Sequence, residues 1–146
     1  MTIEQMTSAH VSQIAELEKL CFSDPWSEKS IETELTCRLS LWFVALEGER
    51  VVGYVGSQTV IDESDMMNIA VHPDFRRKGI AEALIATLEE ALREKGSLAL
   101  TLEVRASNVP AISLYEKLGF IQAGIRKNYY RNPKEDARIL RKEWHS

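Results

Sequence analysis

The chain has 146 residues, 45% of them hydrophobic and 27% charged, which is typical of a single domain, here spanning residues 1–146, with one continuous core. Its formal net charge of −4 at pH 7 argues against nucleic-acid binding, which requires a basic surface. The chain also lacks the basic and apolar start of a signal peptide, a membrane-length apolar run and the cysteines of a disulfide framework, so we expect a cytoplasmic protein.

The first half of the chain predicts one strand, two helices and three strands, in that order. The strand covers residues 2–6, and Ser8 can cap the first helix. Apolar residues then recur at helical spacing: Val11, Ile14, Leu17, Leu20 and Cys21. A second helix begins at Ser27. Two β-rich runs flank Glu47-Gly48-Glu49-Arg50 and predict a hairpin, and "MMNIAV" predicts the next strand.

The second half opens with a helix over residues 79–95, which Gly96 ends. Its apolar side chains recur every four residues: Ile80, Leu84, Leu88 and Leu92. The strand from Leu98 to Arg105 alternates between two faces. Its apolar face holds Leu98, Leu100, Leu102 and Val104. A strand, a helix and a strand in succession predict a parallel pair with a right-handed crossover.

A fourth helix has clear limits in the sequence. Asn108 suits the N-cap, Pro110 an early helical position, and Gly119 the residue after the last turn. The remaining residues predict two strands around a long polar loop. The whole pattern therefore indicates an α/β fold with about seven strands and about four helices.

The stretch "NIAVHPDFRRKGIAEALI" contains a basic loop, residues 76–79, directly before the third helix. A helix N-terminus already carries partial positive charge and unpaired N–H groups, so Arg76, Arg77 and Lys78 each cost about a few tenths of a kcal/mol there unless an anion binds. Gly79 lets the backbone approach a phosphate closely. An ordinary solvated basic turn is the alternative, whereas the spacing of a Walker-type nucleotide loop is missing.

The run from Arg76 to Ala81, after a strand, resembles the acetyl-CoA pyrophosphate loop of the GNAT N-acetyltransferases, Q/R-x-x-G-x-G/A. The similarity covers most of the chain, through "DPWSEKS", "LEVRASNVPAISLYEKLGF", "RKNYY" and "EDA", and is to the branch of this family that acetylates ribosomal proteins on their N-terminal alanine. It implies a GNAT fold with a central mixed sheet and acetyl-CoA as cosubstrate. The partner it implies is the N-terminus of the eighteenth protein of the small ribosomal subunit.

The resemblance also implies which residues contact acetyl-CoA: Ile69, Ala70, Val71, Arg76, Arg77, Lys78, Gly79, Ile80, Ala81, Glu82, Asn108 and Tyr115. Backbone N–H groups of residues 69–71 would hold the acetyl carbonyl and the pantetheine arm. Asn108 either contacts the cosubstrate as well as capping its helix, or only caps the helix.

Acetyl transfer needs an amine that loses a proton and a proton for the departing thiolate. The resemblance assigns the first task to Glu103 as general base and the second to Tyr115 as general acid. A phenol of pKa about 10 protonates a thiolate of pKa about 8.5 at a cost of about 2 kcal/mol. The alternatives are an ion pair between Glu103 and Arg105, which share a strand face, and simple core packing for Tyr115.

An α-amino group has a pKa of about 8 and a lysine of about 10.4, so an N-terminal amine is easier to deprotonate at pH 7. The resemblance implies that "PWSEKS" and "RKNYYRNPKED" wall the peptide site, with Trp26, Tyr129 and Tyr130 as substrate contacts.

Three functions stay open on the sequence: acetylation of a ribosomal-protein N-terminus, acetylation of other protein N-termini or small amines on the same scaffold, and coenzyme A binding without catalysis. The histidines lack metal-ligand spacing, so we expect no metal: His10, His72 and His145. We also expect a monomer.

Overall fold

A computed structural model describes residues 1–144, and His145 lies outside the described residues. Within residues 1–144, seven strands form one mixed sheet flanked by four helices, which confirms the predicted α/β fold class and element order. The strands are β1 (Thr2–Gln5), β2 (Ser40–Glu47), β3 (Arg50–Val60), β4 (Glu63–Val71), β5 (Ala99–Arg105), β6 (Ile121–Arg131) and β7 (Lys134–Glu143). The helices are α1 (Val11–Cys21), α2 (Glu28–Glu34), α3 (Ile80–Glu94) and α4 (Val109–Lys117). None of these helices is both long and apolar enough to cross a bilayer.

The sheet opens in its middle. The strand order is β1-β2-β3-β4-β5-β7-β6, and β4 and β5 run parallel, as the strand-helix-strand pattern predicts. Their pairing joins only residues 63–65 to residues 99–101. Beyond that point the two strands separate, and a cleft lies between residues 66–71 of β4 and residues 102–105 of β5.

A β-bulge lies where β4 leaves β5. Gly56 pairs with Asn68 and Ser57 pairs with Met66, so Met67 is the extra residue on β4. A bulge bends its strand and re-aims the side chains around it. This one therefore shapes the edge of the cleft.

Helices cover both faces of the sheet. On one face α3 buries the four-residue repeat that the sequence shows, Ile80, Leu84, Leu88 and Leu92, and α4 packs in the same cluster. On the other face α1 and α2 bury Val11, Ile14, Leu17 and Ile31. Gly79 and Gly96 flank α3 with positive φ angles of 77° and 93°, which confirms the predicted limits of this helix.

The prediction of a long polar loop near the end of the chain is wrong. β6 and β7 continue through the polar segment and leave only Asn132 and Pro133, the hairpin turn, between them. β6 is an edge strand with most side chains exposed, so polar residues can occupy it without loss of core contacts. Its register with β7 shifts between Arg126 and Tyr130.

Two leucines expected on buried faces are exposed. Leu98 is 54% exposed because β5 begins one residue later, at Ala99, so Leu98 falls outside the alternation. Leu20, in the last turn of α1, is 56% exposed. On the same helix Glu18 is turned inward and is 1% exposed, because its carboxylate receives hydrogen bonds from neighbouring elements.

Candidate active site

A cavity of about 610 Å³ occupies the cleft where β4 and β5 separate. Both strands line it, together with α4, the segment between α1 and α2, and the β6–β7 hairpin. Its lining includes these residues singled out from the sequence: Trp26, Ile69, Glu103, Asn108, Tyr115, Tyr129 and Tyr130. Residues 70–71 and 76–82 lie outside this lining. The structure thus brings the candidate acid, base and acceptor contacts to one place.

The basic loop curls so that the backbone N–H groups after Arg76 stay free. Arg77 and Gly79 both adopt the left-handed conformation, with φ angles of 64° and 77°. Among residues 1–144, no group accepts a hydrogen bond from the N–H groups of residues 77–82. The side chains of Arg77 and Lys78 are exposed. Free N–H groups at a helix start, beside exposed cations, fit the pyrophosphate of acetyl-CoA.

Arg76 behaves differently from its two basic neighbours. Its Nε donates to the carbonyl oxygen of Val71 over 3.1 Å, and its Nη2 donates to Cys21 Sγ over 3.6 Å. Cys21 lines the cavity, so Arg76 ties the basic loop to the cavity wall.

β4 presents backbone N–H groups to the cleft. The N–H of His72 donates to β3, and N–H directions alternate along a strand. By this alternation Ile69 and Val71 direct their N–H groups to the cleft, whereas Ala70 directs its own to β3. The N–H of Ile69 donates to Asn68 Oδ1 over 3.1 Å.

Glu103 pairs with Arg126, and the expected alternative of an ion pair with Arg105 is wrong. Glu103 Oε1 lies 3.2 Å from Arg126 Nε. Arg105 instead contacts Glu135, with 3.4 Å between Nη1 and Oε1. The Glu103 side chain is 25% exposed and lines the cavity, so its carboxylate is accessible from there.

Tyr115 combines a buried ring with a cavity-lining position. The ring packs against Phe120, with centroids 5.8 Å apart, and the residue is 7% exposed. Within residues 1–144 its hydroxyl has no hydrogen-bond partner. Burial and the nearby Tyr130 raise the pKa of Tyr115 to about 12, so the phenol stays protonated at neutral pH. Tyr115 therefore packs in the core and also presents a free donor.

Asn108 is the N-cap of α4, as the sequence predicts. Its Oδ1 accepts a hydrogen bond from the N–H of Ala111 over 3.3 Å. The same side chain lines the cavity. The capping contact uses the amide oxygen and leaves the amide NH₂ for a ligand.

Aromatic side chains stand on both sides of the cavity. Tyr129 and Tyr130, the tyrosine pair, meet edge to face with ring centroids 5.1 Å apart. Burial, together with Tyr129 and Glu103, raises the pKa of Tyr130 to about 12. Opposite them, Trp26 packs edge-on against Trp42 at 5.5 Å. Aromatic rings from two different segments therefore line the cavity.

Glu18 is a buried carboxylate beside the cavity. It accepts hydrogen bonds from the backbone N–H of Trp26 at 2.8 Å, the hydroxyl of Tyr54 and the side-chain amide of Asn68. Burial raises the pKa of Glu18. Trp26 and Asn68 both line the cavity, so Glu18 connects α1 to two of its walls. The sequence signal for this group is its position four residues after Ile14, on the apolar stripe of α1.

Within residues 1–144, no group of three or more His, Cys, Asp and Glu side chains could hold a metal ion. Two histidines serve as local hydrogen-bond acceptors. His10 Nδ1 accepts from the N–H of Thr7 at 3.0 Å, and His72 Nδ1 accepts from the N–H of Asp74 at 3.1 Å.

Residues 11–120 match the profile of the acetyltransferase (GNAT) family. The chain therefore belongs to this family of acyltransferases, whose members use acetyl-CoA.

Similarity to individual acetyltransferases extends along nearly the whole chain. The ribosomal protein bS18-alanine N-acetyltransferase of Escherichia coli strain K12 is 38% identical over 141 residues, which cover 95% of each chain. The crystal structure of the ribosomal-protein-S18-alanine N-acetyltransferase from Escherichia coli superposes with a TM-score of 0.90 and 37% identity, over 97% of this chain and 92% of that one. An aminoglycoside 6'-N-acetyltransferase complexed with coenzyme A shares the fold, with a TM-score of 0.84 and 16% identity over 98% of this chain and 97% of that one.

Proposed function

We propose that the protein transfers the acetyl group of acetyl-CoA to the N-terminal alanine of ribosomal protein bS18, in the cytoplasm. The observation that carries this proposal is the cavity between β4 and β5, which Glu103, Tyr115 and the tyrosine pair all line. The acceptor is suggested by the name of the Escherichia coli relative, which is a ribosomal protein bS18-alanine N-acetyltransferase.

Acetyl-CoA would be held along one edge of the cleft. The N–H groups of residues 77–82 and the exposed cations of the basic loop would bind its pyrophosphate, while Arg76 secures the loop against β4. The N–H group of Val71 would hold the carbonyl end of the cosubstrate, and that of Ile69 would contribute once it is released from Asn68 Oδ1. The free amide NH₂ of Asn108 would supply one further donor.

Glu103 would take a proton from the protonated α-amine, which frees the nitrogen lone pair to attack the acetyl carbonyl. Deprotonating an α-amine at pH 7 costs about 1 kcal/mol, against about 4 to 5 kcal/mol for a lysine. An N-terminal acceptor therefore needs less help from a base than a lysine does. Arg126, 3.2 Å from Glu103 Oε1, would hold the carboxylate in place.

Tyr115 would protonate the coenzyme A sulfur as the N–C bond forms and the C–S bond breaks. With a pKa of about 12, the phenol gives its proton to a thiolate of pKa about 8.5 at a cost of about 5 kcal/mol, more than for an unperturbed tyrosine. The transfer is uphill even to the full thiolate, so Tyr115 would first stabilise the developing charge on sulfur through a hydrogen bond and complete the proton transfer as coenzyme A leaves.

The acceptor peptide would enter between Trp26 and the tyrosine pair. These rings present rigid, largely apolar surfaces with polar edges, which suit contact with a peptide backbone and a small first side chain.

An acceptor panel analysed by mass spectrometry tests this function. The panel contains a bS18 peptide that begins with alanine, the same peptide with a blocked N-terminus and free lysines, and a polyamine. We expect acetyl-CoA-dependent acetylation of the first peptide only. Comparable acetylation of the blocked peptide or the polyamine contradicts the proposed acceptor, and acetyl-CoA binding without acetylation of any of them contradicts the proposed catalysis.

A further inference from the structure

Arg105, the last residue of β5, fixes the hairpin turn. Its Nη1 donates to the carbonyl oxygen of Pro133 over 2.8 Å, and its Nη2 donates to that of Asn132 over 3.2 Å. Nη1 also lies 3.4 Å from Glu135 Oε1, at the start of β7. One guanidinium therefore contacts both residues of the turn and the start of β7.

The hairpin turn also contacts the segment between α1 and α2, on another wall of the cavity. The hydroxyl of Ser23 donates to the carbonyl oxygen of Asn132 over 2.6 Å. The side-chain amide of Asn132 donates to both carboxylate oxygens of Asp24, over 3.1 and 3.2 Å. Ser23 and Asp24 lie between α1 and α2, and all these residues line the cavity. The turn thus bridges the two sides of the acceptor end.

Arg105 also supports one of the proposed acceptor contacts. Its guanidinium carbon lies 4.3 Å from the centre of the Tyr130 ring, a favourable cation–π distance. The Tyr130 ring therefore rests against the same side chain that holds the hairpin turn.

This set of contacts requires the shape of arginine as well as its charge. The planar guanidinium donates in two directions to two successive carbonyl oxygens while its face lies against a ring. A lysine ammonium is a compact point charge and cannot make these contacts together. The N–H groups of Arg105 that hold the turn are already engaged. Arg105 therefore affects the reaction indirectly, through the position of the turn and of Tyr130.

We infer that Arg105 is a positioning residue for the acceptor: it holds the hairpin turn and Tyr130 so that the acceptor end of the cavity has its shape before the peptide binds. This inference rests on the proposed function, because it assigns the acceptor to that end of the cavity.

The test compares Arg105→Lys and Arg105→Gln with Arg141→Lys. Arg141 on β7 is a matched control, since it makes a two-contact ion pair with Glu63, at 2.6 and 3.0 Å, outside the cavity lining. For both Arg105 variants we expect the KM of the alanine peptide to rise about tenfold or more, with kcat and the Kd of acetyl-CoA changed by less than about threefold. Arg141→Lys should change none of these constants. An unchanged peptide KM, or a loss confined to kcat, overturns the inference.

Hydrogen exchange of residues 130–135 separates this inference from the proposed function, because it requires no acceptor. Both Arg105 variants should exchange faster there by about tenfold, with the rest of the sheet unchanged, and Arg141→Lys should match the unaltered protein. Unchanged exchange in the turn overturns the inference even if the peptide is acetylated. If the Arg105 variants exchange faster but the unaltered protein acetylates no peptide, the proposed function is contradicted. The contact by which Arg105 stabilises the turn is then still supported.

Discussion

Arg77 and Lys78 are exposed cations at the start of a helix, where the helix dipole disfavours positive charge. Replacing both by alanine should weaken acetyl-CoA binding by about 1 to 3 kcal/mol, because charge-assisted contacts with phosphate are lost. Isothermal titration calorimetry measures the change.

The matched control for this pair is Arg93→Ala combined with Lys95→Ala. It removes the same charge from exposed positions at the other end of α3 and should leave the affinity unchanged. Equal affinities for the two double variants would show that the basic loop does not bind the anion.

Single residues differ in how far their surroundings can be predicted. The cap of Asn108 is local, so its sequence context is sufficient to predict the contact with Ala111. The partner of Glu103 is not local. Arg126 reaches it from β6, with β7 between the two strands, so the contact depends on a register that the spacing of residues does not reveal.

At the scale of elements, α3 could be predicted and the cleft could not. The limits of α3 follow from Gly79 and Gly96 and from a repeat of apolar residues between them. The cleft depends on where β4 and β5 stop pairing, at residues 65 and 101, and on the bulge at Met67. Those features result from tertiary packing against neighbouring strands, which no local pattern in the sequence encodes.

Gly56 allows β3 to pass beneath an indole ring. A Cβ at this position would overlap the ring of Trp42, which is buried. Gly56→Ala should therefore lower the free energy of unfolding by about 1 to 3 kcal/mol, because the tryptophan must shift in a packed core. Urea denaturation measures the loss.

Gly124→Ala provides the comparison on another strand. A Cβ there would lie 3.5 Å from Ile139 Cδ1, which is ordinary contact, and the variant should be close to the unaltered protein in stability. If Gly56→Ala were equally stable, the proposed packing of Trp42 on this strand would be wrong.

At the scale of the whole molecule, Glu18 links α1 to β3 and β4 from inside the protein. Burial raises the pKa of Glu18 in the folded chain above its ordinary value of 4.5. The folded chain therefore binds this proton more tightly than the unfolded chain does. The resulting contribution to stability is complete below pH 4.5 and is lost as the pH rises through the folded pKa.

Glu18→Gln removes this ionisation and should change the pH dependence of stability. Relative to that of the unaltered protein, the unfolding free energy of the variant should rise progressively over the pH range above 4.5. Urea unfolding at several pH values measures the difference. A difference in unfolding free energy that is constant across this range would contradict the raised pKa.

The division of labour between Glu103 and Tyr115 is the central claim, and the pH profile of kcat/KM on a peptide beginning with alanine tests it most directly. At pH 7, Glu103→Gln should lower kcat/KM by about 10²- to 10⁴-fold. The deficit should shrink towards pH 9, because an α-amine of pKa about 8 then loses its proton in solution. The deficit of Tyr115→Phe should persist, because a phenol of pKa about 12 remains a donor throughout this range. Full activity of both variants at pH 7 would contradict the account and leave Glu103 as a partner of Arg126 and Tyr115 as a core side chain.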